Sequence, residues 1–348
     1  MVNMNKNEEQ ASKVYPQAAI MKLVSGVGFA FAMKTAVDLN LFSLLKDKRL
    51  SVEGLAESLD LEPSALNRLL RALQAIGLLS KDEKRNYVIT EYGEVLIPGS
   101  PKSIYPMVKY LMHETVIQSM LKMDYSIRKG KSSFEKFYGN KYDENNSDGK
   151  SNLELMDKAM KVYSTISLPS LLDVYNFEKF NLIVDVAGGM GQLITGIIRS
   201  SNNPRCVLFD LPDTIERAKN NMENKELGDR YQLVAGDMFK KVPDGGDLYI
   251  VSKVLNNWDD EHVENILKNI SEAMSDKGRV IIIENVLSED KISLEEAFRD
   301  LLFLVCTHGG GVRSKNELGR LIKGSGLNLL NVIKTSSSYC ILECDKAQ

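Results

Sequence analysis

The chain has 348 residues, 44 Lys and Arg against 47 Asp and Glu, and a formal net charge of −3. That length accommodates two domains, and the slight negative charge excludes long-range electrostatic capture by nucleic acid or an anionic membrane. Four cysteines, Cys206, Cys306, Cys340 and Cys344, stand at no metal-site or C-x-x-C spacing, so free thiols in a reduced, cytoplasmic setting are expected, with no metal.

Residues 1–14 are polar and mixed in charge and read as a disordered tail rather than a signal peptide. Residues 16–46 read as helical, with small residues (Ala18, Ala19, Gly26, Gly28, Ala30, Ala32) that permit close helix contact. The apolar stretch Leu23–Met33 lies between Lys22 and Lys34 and by itself is too short to span a bilayer. It is also too apolar for a solvated face, so burial against a second subunit is expected.

A winged-helix pattern follows. Ser51 is placed to cap a helix through Leu59, and Pro63 opens another in which Leu66, Leu69, Leu70, Leu73 and Ile76 recur at helical spacing. GLLSKDEKRNYVIT then reads as strand, charged turn, strand. Modules of this kind often bind DNA through the second helix, where Asn67, Arg68 and Arg71 are available. Glu53, Glu57, Asp60 and Glu62 make the neighbouring surface acidic, which repels phosphate and disfavours a nucleic-acid partner.

Residues 101–165 read as helical. From about residue 180, strands (Val207–Phe209, Tyr231–Ala235, Leu248–Val251, Val280–Glu284) alternate with helices, and Leu327–Ile333 with Tyr339–Glu343 predict a closing antiparallel hairpin. This is the pattern of a doubly wound α/β sheet. Its most informative part is LIVDVAGGMGQL. Leu182–Val186 is a nearly continuous apolar run, as expected of a strand buried on both faces. Gly188, Gly189 and Gly191 then allow a tight turn and close backbone approach to a ligand. The next strand ends on Asp210, placed to accept both hydroxyls of a ribose.

An adenosine-containing cofactor is therefore expected, and the missing elements narrow its kind. From Gly189 a dinucleotide fingerprint requires a third glycine where Ile194 stands, and no G-x-x-x-x-G-K-[ST] loop occurs. A glycine turn without phosphate-binding features, preceded by Asp185, suits a ligand with a cationic amino-acid tail. S-adenosylmethionine (SAM) has that character.

Taken in order, LNRLLRAL, SSFEKFYG, VDVAGGMG, LFDLP, AGDMF, VLNNWDDEH, GRVIIIENVL and GGGVRS resemble the plant-caffeate and bacterial natural-product O-methyltransferase family, which includes hydroxyindole O-methyltransferases. The resemblance spans roughly residues 15–345. It implies a winged-helix dimerisation domain over 15–100 and a helical connector with substrate-pocket helices over 101–165. The SAM-binding catalytic domain would then cover 166–348, in a homodimer whose partner is otherwise a small aromatic molecule. By resemblance Asp210 and Leu211 would hold the ribose, Asp185, Gly188 and Gly189 the methionine tail, Asp237 and Met238 the adenine, with Ser252 beside them. His113, Met160, Asn257, Phe303 and Thr307 would line the substrate pocket.

The departures from the family pattern bear on chemistry. Where members carry LHDW, whose histidine takes the acceptor's proton, this chain has VLNNW and Asn256. The acid at Glu284 is retained, whereas the supporting acid of the R-T-E segment falls on Lys315. Methyl transfer from a sulfonium is an in-line displacement that depends much on positioning. Loss of the base is thus tolerable for an acidic phenol and costly for an ordinary one of pKa ~10. Asn256 is expected to donate a hydrogen bond to the acceptor oxygen. His308, before the GGG turn, is a candidate replacement base or a structural hydrogen-bonding residue; His262 reads as a solvated helix-start residue and Trp258 as a packing anchor. Lys315 reads either as a pocket-wall cation or as a solvated one. A non-methylating SAM enzyme on the same scaffold and a winged-helix regulator remain the alternatives.

Overall fold

The computed structural model describes residues 15–139, 147–222, 227–288 and 291–347; the expected disordered tail lies outside them. Contacts divide the chain into two units, Met1–Met112 and His113–Gln348.

In the first unit, helix α1 (Pro16–Asp38) is 23 residues long, because Pro16 starts it and no breaker interrupts it before Asp38. It lies within the span 16–46 read as helical, and by length and composition alone the whole helix is long and apolar enough to cross a membrane, whereas the Leu23–Met33 run is not. Only its last turns are buried, at Ala36 and Val37, while Ile20, Met21, Leu23, Val24, Val27 and Phe31 are exposed. After α2 (Leu41–Leu45) come α3 (Val52–Leu59) and α4 (Pro63–Ala75). The Ser51 side chain accepts from the Gly54 N–H at 3.2 Å, giving α3 its cap. Leu66, Leu70 and Leu73 form the buried stripe of α4, and β1 (Leu79–Lys81) pairs antiparallel with β2 (Tyr87–Ile89) as the wing. Two short helices, α5 (Glu91–Glu94) and α6 (Tyr105–Leu111), complete the unit.

The second unit opens with α7 (Glu114–Met120), α8 (Met123–Lys129), α9 (Ser133–Tyr138) and the long α10 (Ser147–Leu172). Strands and helices then alternate: β3 (Leu182–Val186), α11 (Gln192–Ser200), β4 (Arg205–Asp210), α12 (Pro212–Met222), β5 (Tyr231–Ala235) and β6 (Leu248–Ser252). They continue as α13 (Asp260–Ala273), β7 (Arg279–Glu284), β8 (Val286–Leu287), α14 (Leu294–Cys306), β9 (Arg313–Ser314), α15 (Lys315–Gly324), β10 (Leu327–Lys334) and β11 (Cys340–Lys346). Seven strands form one sheet in the order β10-β11-β7-β6-β3-β4-β5. β3 to β7 are mutually parallel, β11 joins β7 antiparallel, and β10 pairs antiparallel with β11 as the expected hairpin. One face is covered by α13 and α15 through Val263, Ile266, Ile270, Leu318 and Ile322. The other is covered by α11 and the end of α10 through Ile194, Ile197, Ile198 and Leu171. Both faces are covered, which is why the parallel strands read as unbroken apolar runs.

The Tyr249 ring is fully buried under this sheet. Its hydroxyl donates to the Pro243 carbonyl at 2.6 Å and accepts from the Gly246 N–H at 3.2 Å. Replacing Tyr249 by Phe leaves that N–H buried without a partner. A loss of about 1–3 kcal/mol is expected, read as a lowered thermal unfolding midpoint, and an unaltered midpoint would show that the hydroxyl contributes nothing.

Candidate active site

The site gathers at the carboxyl edge of β3, β4, β6 and β7, where a parallel sheet presents its loops to a ligand. Leaving β3, the chain passes through Ala187 at φ +55° and Gly189 at φ +60°. A Cβ on Gly188 would stand 2.5 Å from Asp185 Oδ2, so the turn closes over the carboxylate only because residue 188 has no side chain. Asp185 is 1% exposed, and neither of its carboxylate oxygens has a partner among the described residues. Burial pushes its pKa up to about 7, against the pull of Lys253. A buried carboxylate with both oxygens unmatched is costly in isolation and fits a cationic group supplied by a ligand.

Lys253 was not anticipated from the sequence. It follows β6 in the left-handed region at φ +61°, a conformation disfavoured for a residue with a side chain. Burial lowers its pKa to about 8, opposed by Asp185 and Glu284. Its Nζ lies 3.3 Å from Ser164 Oγ and 5.2 Å from the centroid of the Tyr339 ring. A lysine in this environment offers a counter-charge to a carboxylate, as Asp185 does to an ammonium. The two therefore match the zwitterionic end of an amino acid.

Asp210 ends β4 as expected. Its Oδ2 accepts from the Gly189 N–H at 2.9 Å and its Oδ1 from the Leu211 N–H at 2.7 Å. Burial raises its pKa despite these bonds. Leu211 is 55% exposed beside it. Asp237 accepts from the Phe239 N–H, and the Met238 carbonyl accepts from Asn269 Nδ2 at 2.8 Å, tying that loop to α13. Ser252 is the last residue of β6, next to Lys253.

The Asn256 turn is a short 3₁₀ segment, Leu255–Asn257. Glu284 closes it from the end of β7: its Oε1 accepts from the Asn256 N–H at 3.3 Å, and the Leu255 and Val254 amides also hydrogen-bond to the carboxylate. Burial raises the Glu284 pKa to about 7, with those bonds and Lys253 opposing. Asn256 is 1% exposed; its Nδ2 donates to the Asn285 carbonyl at 3.2 Å, and its Oδ1 has no partner among the described residues. The atom left unmatched is an acceptor, whereas the sequence led to the expectation of a donor. The Asn285 carbonyl already takes an amide hydrogen, which fixes the orientation of the group. Asn257 Nδ2 donates to the Lys253 carbonyl at 3.1 Å and Thr307 Oγ1 to the Phe303 carbonyl at 2.7 Å. Arg313, also unanticipated, is buried and donates to the Leu255 and Trp258 carbonyls and to Asp260, fastening the turn from the GGGVRS side.

The histidines are placed differently from one another. The His308 ring stacks on Trp258, centroids 4.7 Å apart, with Nδ1 3.3 Å from Glu135 Oε1. His262 is not merely solvated: its Nδ1 lies 2.7 Å from Asp259 Oδ1 and its ring packs on Trp258 from 5.4 Å and on Phe239. Trp258 is thus an anchor, flanked by two imidazoles and met edge-on by Phe239. His113 caps α7, with Nδ1 2.9 Å from Thr115 Oγ1. Met160 is 40% exposed on α10, and Phe303 lies on α14. Lys315 is exposed at the start of α15, the solvated position of the two considered.

The raised Asp185 and Glu284 pKa values have a definite sign. A carboxyl whose folded pKa lies above its unfolded value contributes stability fully at low pH, and that contribution is lost as pH rises through the folded pKa. Ligand-free protein should therefore lose stability from about pH 4, the ordinary carboxylate value, up to about pH 7 and level off above it, with Asp185→Asn flattening the slope. The check is the thermal unfolding midpoint as a function of pH; an identical slope in the variant would refute the burial of an unmatched charge.

Comparison with known proteins agrees with this geometry. Residues 121–328 match the model of the O-methyltransferase domain, and residues 21–99 match that of the O-methyltransferase dimerisation domain. A phenazine O-methyltransferase of Lysobacter antibioticus is 29% identical over 96% of this chain and 97% of its own. A 3-amino-4-hydroxybenzoate 4-O-methyltransferase of Streptomyces cremeus is 31% identical over 93% and 89%. Among solved structures, an O-methyltransferase from neocarzinostatin biosynthesis, in complex with SAM and 2-hydroxy-5-methyl naphthoic acid, superposes with a TM-score of 0.76. It is 26% identical, over 91% of this chain and 95% of that one. With its glycine turn, strand-tip aspartate and paired domain matches, the chain belongs to the SAM-dependent O-methyltransferase family.

Proposed function

We propose that the enzyme methylates a hydroxyl of an aromatic or polyketide-like small molecule, with Asn256 standing where the family's catalytic histidine would be. The observation that carries this reading is the buried, unmatched Asn256 Oδ1 beside a retained Glu284. SAM supplies an electrophilic methyl on a sulfonium. Asp185 and Lys253 would hold the two charged ends of its methionine tail, Asp210 with Leu211 the ribose, and Asp237 with Met238 the adenine. Glu284 is a positioning residue, since its bonds are to the backbone of the turn. Asn256 Oδ1 would accept a hydrogen bond from the acceptor hydroxyl and orient it, but an amide oxygen cannot retain the proton at neutral pH. The acceptor must then ionise largely by itself, which favours acidic phenols. The stacking of His308 on Trp258 and its contact with Glu135 support this base-free mechanism. Relatives named for phenazine and hydroxybenzoate support an aromatic acceptor, with His113, Met160, Asn257, Phe303 and Thr307 around it.

We further propose that residues 15–100 serve homodimerisation, through the exposed apolar face of α1, and that 101–165 supply pocket helices to the catalytic part, 166–348. The four free cysteines support work in the reduced cytoplasm.

Two measurements test this. S-adenosylhomocysteine formation across phenols of graded pKa should rise with pH along each acceptor's own ionisation, not along a protein group near 6.5. Asn256→His should extend turnover to phenols near pKa ~10 by about tenfold or more, with little effect from His308→Ala. If SAM binds and no phenol yields product, a non-methylating reaction on this scaffold replaces the proposal. Light scattering should report a dimer, and charged residues at Val24 and Val27 should shift it toward monomer; a soluble wild-type monomer at micromolar concentration would overturn the dimer.

A further inference from the structure

Two helices of the second unit, 60 residues apart in the chain at their point of contact, are joined by one ion pair. Arg217 lies on α12, the helix that follows β4 and Asp210. Its Nε donates to Oδ2 of Asp157 on α10 at 2.7 Å. The two side chains are only 29% and 17% exposed, so this charge-assisted hydrogen bond is less screened than one at the surface. Arg217 also faces the cofactor side. Its Nη2 lies 3.5 Å from Thr214 Oγ1, one turn earlier, and the Thr214 hydroxyl bonds to the Asp210 carboxylate. A short chain of polar groups therefore runs from the proposed ribose ligand to α10.

On α10, Asp157, Met160, Ser164 and Leu168 follow the i, i+3, i+7, i+11 spacing of a single helix face. Three of these four are held by neighbouring elements. Leu168 packs so closely on α11 that a Cβ on Gly196 would stand 2.5 Å from it. Ser164 Oγ lies 3.3 Å from Lys253 Nζ. Asp157 is held by Arg217. Met160, the residue assigned to the acceptor, is 40% exposed and lies between the last two of these contacts.

We propose that Arg217 is a positioning residue for methyl transfer: through Asp157 it holds the half of α10 that carries Met160 in register with the ribose site. The proposal rests on the methyl-transfer reading for its placement of acceptor and ribose. An in-line displacement needs oxygen, methyl carbon and sulfur aligned, and a misplacement of about 1 Å can cost ~100-fold in rate. The cofactor is fixed by strand tips, whereas α10 flanks the acceptor. A tie from the ribose strand to that helix sets the distance between the two reactants.

Hydrogen exchange of the full-length enzyme with S-adenosylhomocysteine bound reads the tie, and steady-state kinetics with a nitrophenol read its consequence. Arg217→Met should speed amide exchange about tenfold over residues 155–163, as expected for loss of one charge-assisted hydrogen bond. Residues 166–172, held on α11, should be unchanged. The turnover number kcat should fall about tenfold or more. The S-adenosylhomocysteine dissociation constant should stay within about threefold, since Asp210 keeps its two backbone amide bonds. Arg217→Lys should recover most of both losses, because a single Nε contact and not a bidentate pair is replaced. Asp157→Leu should reproduce the Arg217→Met effects, and combining the two should add nothing further. Unchanged exchange at 155–163, faster exchange along the whole of α10, or additive losses in the double variant overturn the tie. Unchanged kcat, or a fall in kcat matched by an equal loss of S-adenosylhomocysteine affinity, overturns the positioning role. Faster exchange confined to 155–163, in an enzyme whose wild type turns over no phenol, keeps the tie and removes the methyl-transfer reading.

Discussion

Three buried charged groups on neighbouring parallel strands set the conditions for everything else in the catalytic unit. Asp185 lies near the end of β3, Lys253 just past β6, and Glu284 at the end of β7, and β6 pairs with both other strands. None of the three is easily accommodated in a low-dielectric interior by itself. Burial raises both acids and lowers the lysine, while each partly offsets the other's cost. The left-handed conformation of Lys253 places its side chain in this cluster, which is the form of local strain that persists where surrounding structure enforces it. One carboxylate is satisfied by backbone amides of the Asn256 turn. The other has no hydrogen-bond partner among the described residues, and the glycine turn closes over it.

That asymmetry explains how one edge of the sheet does two tasks. Glu284 spends its hydrogen-bonding capacity on the backbone and so fixes the turn that carries Asn256, Asn257 and Trp258. Arg313 fastens the same turn from the opposite side through two carbonyls. Asp185 is left to meet a ligand. On the proposed reading, an asparagine at residue 256 in place of a histidine would keep this frame while replacing a proton acceptor with a group that only orients, and selection of an acidic acceptor would follow.

Much of this frame was legible in the sequence because its signals are local. The apolar run Leu182–Val186 coincides with β3, and Tyr231–Ala235 with β5. The glycines after β3 and the aspartate ending β4 are read from adjacent residues, and the third-glycine test is a matter of spacing. The proposed departure at Asn256 likewise rests on the order of motifs along the chain. Family membership followed from the same ordered motifs, and the two domain matches agree with them.

What the chain order does not encode is which distant groups share a buried space. Lys253 reads in sequence as an ordinary lysine after a strand; only its left-handed backbone and the convergence of β3, β6 and β7 bring it among two carboxylates. His262 reads as a solvated helix-start residue until Trp258 is found stacked against it. The direction of the Asn256 amide depends on the Asn285 carbonyl 3.2 Å away. The sequence by itself determined the order of elements, the glycine turn and the chemical identity of each candidate residue, because these depend on neighbours along the chain. Tertiary structure alone decided which charges are buried together and which hydrogen-bonding atoms remain unmatched, because burial and satisfaction are set by residues far apart in the chain.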